Sequence, residues 1–541
     1  MIMKRILLSS AIAMSAMTLF AQGAMDAYQF NQPDMKGTAR FMSMGGAFGA
    51  LGGDMTTISQ NPGGIGVYRN SEIGFTVNFD IQNSTTESQI LKTTDNQFKF
   101  LLNNVGYIGS IRLNNSVMPF FNWGFTYNKA ASFNRRYSGG MNMKNSMSNY
   151  MAGIANSNNL TVGDVSTTDH YDPYHPNDGG FISPWIAILG YDSYLINPQG
   201  RNGKTNWSGL WGDRTTGLGN FGVVESGGID EYNISFGGNI LDFLYWGMDF
   251  GITSLRFDQQ VLWNENLEDA QIANNDGSIV TTDANWAMTN NYFVRGNGFN
   301  YKLGFIVKPI QELRLGFAFH TPTWYAMEEE YKAFTIYDYP NTDIRPGGAE
   351  TNNGYYGYND YKFSTPWRLI ASAAGVIGSK FIISADYEWT NYQGMNFSAY
   401  KEWGVFDNAF YYENKDIDDY YQSTNTFRIG AEYRVLPQVS LRAGYANVSS
   451  PIKQEVRDNE YTIYTAGTNP SYSMDNSINY VTCGLGFKYK KFYCDLAYVY
   501  KHRSSDWHAF TPDPYSPELP SPQSKLTSDD HQIAVSMGVK F

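Results

Sequence analysis

The sequence predicts an all-β protein, a transmembrane antiparallel β-barrel of about fourteen strands with an N-terminal hatch plugging its lumen. Three observations lead there. Segments throughout the chain alternate between apolar and polar residues. The last of them runs to an aromatic carboxy-terminus. A glycine-rich, non-alternating stretch precedes the first strand.

The closing segment is HQIAVSMGVKF. Ile533, Val535, Met537, Val539 and Phe541 alternate with Gln532, Ala534, Ser536, Gly538 and Lys540. A period of two puts the first set on one face of a strand, as in the last strand of a bacterial outer-membrane barrel. The grammar recurs in EIGFTVNFDI, where Ile73, Phe75, Val77, Phe79 and Ile81 oppose Gly74, Thr76, Asn78 and Asp80. It recurs in KFIISADYEWT and in ELRLGFAFH. Strands are expected near 71–84, 97–113, 119–137, 226–240, 244–262, 288–309 and 311–331. Seven more are expected near 361–377, 380–399, 421–436, 438–450, 476–489, 491–505 and 528–541. An even number suits a single-chain barrel.

Composition agrees. The chain has 541 residues, with Tyr 40, Phe 34 and Trp 12, rich in the aromatics that form interfacial girdles. Mean hydropathy is -0.39 and no mature segment is apolar for long enough to cross a membrane as a helix. A barrel escapes that average because half of each strand faces a polar lumen. Residues 1–21 read as a secretory signal: Lys4 and Arg5, an apolar run to Phe20, and a cleavage site at Leu19-Phe20-Ala21. This leaves 22–70 as the hatch and 71–541 as the barrel in the outer membrane of a Gram-negative bacterium. A net charge of -12 argues against nucleic acid as a partner. The two cysteines, Cys483 and Cys494, fall on a hairpin turning at Lys490-Lys491. That register sets Cys483 opposite Tyr498 and Cys494 opposite Phe487, too far apart to bridge and both on the apolar face.

The connections are expected to alternate strictly between tight turns, at Asn114-Asn115, Pro309, Pro437 and Lys490-Lys491, and long outer loops. The longest loop, about 138–225, carries Met143, Met147, Met151 and Ile154 at helical spacing, and the apolar run Phe181, Ile182, Trp185, Ile186, Ile188 and Leu189. Either the loop builds its own small core, or it is a greasy landing surface for an apolar solute, with Trp185 and Ile186 as contacts.

In the stretch before strand one, Gly45, Gly49 and Gly53 recur every four residues, a spacing that would let a short helix press its backbone against a wall. The knot NPGGIG then lets the chain turn sharply into the barrel. Gly49-Ala-Leu-Gly-Gly lacks the Lys-Ser/Thr of a phosphate-binding loop, and Gly64-Ile-Gly66 leads into a membrane-type strand, not a dinucleotide fold.

GTARFMSMGGAFGALGGD followed by Asn61-Pro62, with strand pieces FHTPTWY (319–325) and SADYEWTNY (384–392), resembles the long-chain fatty-acid transporter family of outer-membrane proteins. In particular it is similar to the branch from Bacteroidetes often labelled haemin receptors. The resemblance implies a fourteen-strand barrel with a hatch carrying an Asn-Pro-Ala motif. Asn61 and Pro62 match that motif, and Gly63 stands in place of the alanine. It also implies passive passage of hydrophobic compounds, without an energy-coupling protein, and a sideways exit through the wall once the hatch shifts. No cofactor is implied, although haem is an alternative transported ligand. Lipid and lipopolysaccharide, the barrel-assembly machinery acting through Phe541, and a monomeric state complete the expected surroundings.

Charged residues on lumen-facing positions include Arg314, Arg368, Asp386, Glu388, Arg428, Glu432, Arg434, Arg442 and Asp495. Arg314, Arg428 and Arg442 have the fork that matches a carboxylate-headed ligand. They could equally brace the wall and hatch against Asp386 and Glu388. His320 is placed in the lumen, either as an axial haem nitrogen or as a hydrogen-bonding partner of the plug. Asp169, His170, Asp172, His175 and Asp178 match no defined metal spacing, and Asp416, Asp418 and Asp419 could bridge cations at the lipopolysaccharide edge. No catalytic constellation emerges: His502 and His508 lie near Ser504 and Ser505 without an orienting partner, so a lipase is disfavoured. A non-transporting surface adhesin is the remaining alternative.

Overall fold

The computed structural model describes residues 23–541 except 89, 176–182, 202–203, 379, 401–408, 459–460, 462, 464, 466–467 and 512–519. The expected signal, and Asp178, Phe181 and Ile182 of the longest loop, lie outside the described residues.

Fourteen antiparallel strands close into a barrel. β1 (Glu72–Glu87) pairs with β2 (Lys92–Arg112) on one side and with β14 (Gln523–Lys540) on the other, which removes the free edge. Between them run β3 (Phe120–Ser132, resuming as Arg135–Asn142), β4 (Thr216–Ile240), β5 (Leu244–Ala273) and β6 (Ile279–Val307). β7 (Leu313–His320 and Trp324–Asp338) and β8 (Gly357–Ser364 and Arg368–Ile377) are each interrupted at a proline, Pro322 and Pro366. β9 (Phe381–Asn391 and Asn396–Ser398), β10 (Ser423–Leu436), β11 (Val439–Val448), β12 (Tyr472–Tyr489) and β13 (Phe492–His508) complete the wall. The alternation predicts its faces well: Ile73, Phe75, Phe79, Phe317, Tyr387, Ile533 and Met537 are exposed, while Thr76, Asn78, Asp386 and Gln532 are buried in the lumen. Cys483 opposes Tyr498, Cys494 opposes Phe487, and both thiols are free.

Two expectations need correction. The connections do not alternate strictly, because at the outer end β1 and β2 join through residues 88–91 and β5 and β6 through 274–278. These strands are longer than expected because their alternation changes phase. Along β5, Phe250 and Ile252 point out, but from Leu255 onward the apolar residues Leu255, Phe257, Val261, Trp263 and Leu267 point in and Arg256 and Gln260 point out. On β6 the same change falls between exposed Phe299 and buried Val294, at the same height, since Ser254 pairs with Asn297. An outward apolar face suits lipid; an outward polar face suits water. The inversion therefore marks where β5 and β6 leave the bilayer; on β1 and β2 the outward apolar face, with Ile81, Phe98, Phe100 and Leu102 exposed, reaches further along the strands.

The inward apolar face above that level packs against the loops. A helix, Met147–Ser157, and a second, Trp185–Asp192, bury Met147, Met151, Ile188 and Leu189 with Trp263, Trp286 and Trp507 in one core. The loop thus makes its own core as a roof over the barrel. Glu265 on β5 fastens it, accepting from Ser146 Oγ at 2.5 Å, the Met147 backbone N–H at 2.8 Å, Trp263 Nε1 at 2.8 Å and Trp286 Nε1 at 3.2 Å. The first two donors stand at the start of the helix, where backbone N–H groups have no intrahelical partner and the dipole favours negative charge.

The second correction concerns the glycines ahead of the barrel. Residues 44–56 form consecutive turns, not a helix, and Gly45 (φ +63°) and Gly53 (φ +70°) adopt left-handed backbone that a helix excludes.

Candidate functional site

Residues 23–70 run down the lumen. A short helix, Ala24–Gln29, lies in the outer half, where Tyr28 packs on Tyr392 and Tyr421 and the Tyr421 hydroxyl donates to Ala24 O at 2.9 Å. Below it comes a charged layer: Lys36 Nζ meets Asp80 at 2.8 Å, and Lys501 Nζ meets Asp34 at 3.2 Å. Arg503 meets Asp475 at 2.7 Å. Lowest are the helices Ala39–Ser43 and Thr57–Gln60 and the 3-10 turn Pro62–Val67.

At this lowest level backbone touches backbone. A Cβ on Gly247 would stand 2.0 Å from Pro62 O, one on Gly304 2.0 Å from Asn61 Oδ1, and one on Gly316 2.3 Å from Gly49 O. Gly430 and Gly444 are covered as closely by Met44. Glycine thus seats the backbone of the N-terminal segment at these five wall positions. Among the hatch glycines, a Cβ on Gly45 would meet Tyr445 N at 2.8 Å and one on Gly49 would meet Ser372 Oγ at 2.0 Å; Gly53 has room and is held to glycine by its φ. Gly63 lies against β6, and a Cβ there would reach 2.9 Å from Phe305 Cα, so alanine would displace this wall. Asn61, fully buried, caps the 3-10 turn through Gly63 N at 3.0 Å and donates Nδ2 to Gly49 O at 2.5 Å and Phe305 O at 3.2 Å. Pro62 occupies the first turn position, where its missing N–H costs nothing.

Apart from Arg434, which is exposed, the charged wall residues reach the N-terminal segment or one another. Arg314 Nη1 donates to Leu51 O at 2.7 Å and Arg368 to Asn31 Oδ1 at 2.9 Å. Arg428 pairs with Glu388 at 2.7 Å. Arg442 joins Glu432 at 2.7 Å and Asp495 at 2.6 Å, and Arg40 of the hatch completes the cluster at 3.1 Å from Glu432. Asp386 accepts from Gly49 N at 2.9 Å and Gln60 Nε2 at 3.2 Å. His320 is buried, with Nε2 2.8 Å from Gln60 O. Trp185 and Ile186 are buried in the roof, and His175 Nε2 lies 2.6 Å from Asn352 Oδ1. Among the described residues no three His, Cys, Asp or Glu side chains gather to hold a metal. Asp416, Asp418 and Asp419 lie on the outer helix Tyr411–Tyr420.

The wall is broken between β2 and β3, where the sequence gives no warning. β2 pairs with β3 only over Asn104–Arg112 and Phe120–Asn128. Above that, Lys92–Leu102 of β2 pairs with β1, and Arg135–Asn142 pairs with β4. The two edges do not resume backbone pairing, because the chain bends inward at Phe133-Asn134; the Ser138 hydroxyl, donating to Asp95 at 2.7 Å, spans the gap. Thr86, buried on the lumen face of β1, hydrogen-bonds Ser138 O, and Ser88 Oγ reaches Gly140 O at 2.5 Å. The bend is matched on β4 by Gly227 at φ +111°, whose carbonyl accepts from Phe133 N at 3.2 Å. Two lumen cavities adjoin the break, sharing Gln29, Gln32 and Glu225. The upper one includes Tyr28, Phe257, Tyr292 and Trp507; the lower one opens on Ala131–Arg135. Asp26 borders the upper cavity, and burial pushes its carboxyl up to about 7.

A closed barrel with an apolar outer band, a filled lumen and an interrupted wall defines a plugged β-barrel of the outer membrane of Gram-negative bacteria. Residues 246–488 match the model of the outer membrane protein transport protein family (OMPP1/FadL/TodX). The fold is similar to the crystal structure of a Pseudomonas aeruginosa FadL homologue, with 14% identity over 94% of this chain and 99% of that one, at a TM-score of 0.52. A variant of the monoaromatic hydrocarbon channel TodX is similar at 12% identity over 93% of this chain and 99% of that one, with a TM-score of 0.50. No curated protein matches the chain by sequence. The matched family is one of transport proteins and TodX is a channel; neither is described as an enzyme.

Proposed function

We propose that the chain is an outer-membrane channel for hydrophobic compounds, long-chain fatty-acid-like solutes among them, admitting them by passive diffusion. The observation that carries this reading is the break between β2 and the inward-bent half of β3, beside a lumen cavity with aromatic walls. A solute crossing there enters lipid sideways and gains ~0.8 kcal/mol per buried methylene, so the route is downhill. In this reading the hatch is the gate. Asn61, Pro62 and Gly63 hold it to β6, Gly45, Gly49 and Gly53 shape its turns, and Arg314, Arg428 and Arg442 brace the lumen. The family described by the matching model and the channels of similar fold favour the same class of cargo.

The test is paired uptake of a long-chain fatty acid and of haem by cells lacking their own channel, with wild type and His320→Ala. Fatty-acid entry that the variant leaves intact is the expected result. Haem entry lost in the variant would favour a haem receptor, and entry of neither would favour an adhesin.

A further inference from the structure

The cavity that opens on the wall break is polar, an unexpected lining where an apolar solute would leave. Apart from Arg503 Nη2, which lies 2.7 Å from Asp475, four of its bordering atoms have no hydrogen-bond partner: Asp530 Oδ1, Asp80 Oδ1, Gln82 Oε1 and Arg135 Nη1. Asp530 is 6% exposed and Arg135 3%. Asp530 meets a cation only at 3.7 Å, at Lys501, while Arg135 binds Glu225 through Nε at 2.8 Å and Nη2 at 3.3 Å and leaves Nη1 over. Arg135 matches Glu225 and Arg503 matches Asp475, so Lys36 and Lys501 remain against Asp34, Asp80 and Asp530. The cavity therefore offers three unanswered acceptors, one unanswered donor and a surplus carboxylate. Burying such atoms unpaired is costly.

We infer that this chamber receives the head of an amphiphile carrying neutral hydroxyl groups, such as the glyceryl head of a monoacylglycerol. The inference rests on the channel reading above and deepens it. A hydroxyl both donates and accepts, so one diol can donate to Asp530 and Gln82 and accept from Arg135 Nη1. A carboxylate head accepts only; it would suit Arg135 but face the surplus negative charge. A hydrocarbon answers none of the four atoms. The chain of the amphiphile would lie in the adjoining aromatic cavity.

The experiment compares entry of two radiolabelled probes with the same twelve-carbon chain, laurate and 1-monolauroylglycerol, into cells lacking their own channel. Wild type, the double variant Asp530→Leu/Gln82→Leu, and Asp530→Asn are supplied separately. Wild type is expected to admit monolauroylglycerol the faster. The double variant should lower the monolauroylglycerol-to-laurate ratio by about tenfold, as loss of two net hydrogen bonds implies. Asp530→Asn, which keeps an acceptor, should retain most of the preference. Laurate entry in each variant reports that the barrel is folded. A wild type that prefers laurate, or a ratio unchanged in the double variant, overturns the inference and leaves the chamber to water. Entry of neither probe in wild type defeats the channel reading itself.

Discussion

Asn61 ties the hatch to the wall at Phe305: Nδ2 reaches the Phe305 carbonyl at 3.2 Å, while the neighbouring Gly63 packs on the same residue's backbone. Asn61→Ala removes three hydrogen bonds in a buried seam and takes the side-chain donor from the Gly49 carbonyl. Loosening by about 1–3 kcal/mol is expected. Amide hydrogen exchange over residues 57–67 measures it, and protection equal to wild type would refute the anchoring role.

Gly63→Val tests the same seam by bulk. A Cβ already meets Phe305 Cα at 2.9 Å, and backbone cannot swing aside as a side chain can. Overpacking costs about 1–3 kcal/mol. Faster fatty-acid entry than in wild type, with β6 still folded, is the expected outcome; slower entry would argue against the hatch as a gate.

Glu265→Ala should unfasten the roof. It strands four donors, two of them the indole N–H groups of Trp263 and Trp286. A loss of about 3 kcal/mol or more follows if two of them stay dry. Tryptophan emission during urea titration reports it directly, and an unmoved midpoint would show that the glutamate is dispensable.

The outer helix Tyr411–Tyr420 should respond to pH. Burial pushes Glu413 and Asp416 up to about 7, from 4.5 and 3.8. Between those limits the docked helix holds more protons than the undocked one. Docking is therefore firmest below about pH 4 and weakens as pH rises toward 7, where both groups ionise in place. Amide protection over 411–421 should be greater at pH 5 than at pH 8, and equal protection would contradict the burial of these carboxyls.

The barrel was legible because a strand exposed to lipid must alternate, and Ile73 to Ile81 or Ile533 to Phe541 cannot alternate for another reason so economically. The upper strands were also written in the sequence, but in opposite phase: Leu255, Phe257, Val261 and Trp263 alternate as cleanly as Phe250 and Ile252, facing the other way. The glycine seats were not legible. Gly247, Gly304, Gly316, Gly430 and Gly444 look like weak points of strands, and their partners are hundreds of residues away. The wall break was hidden for a related reason. Phe133-Asn134 carries no proline or glycine, and the accommodating Gly227 belongs to another strand.

The phase change at Ser254 and Asn297 gives one polypeptide two environments to be folded by. Beneath it, oily side chains are satisfied by lipid tails and would be satisfied by detergent. Above it, they are satisfied by each other, as in any water-soluble protein. Removing the bilayer challenges the lower half, whereas chaotropes challenge the upper. The roof should thus be able to melt while the ring beneath it stays closed, a soluble-protein transition mounted on a membrane protein.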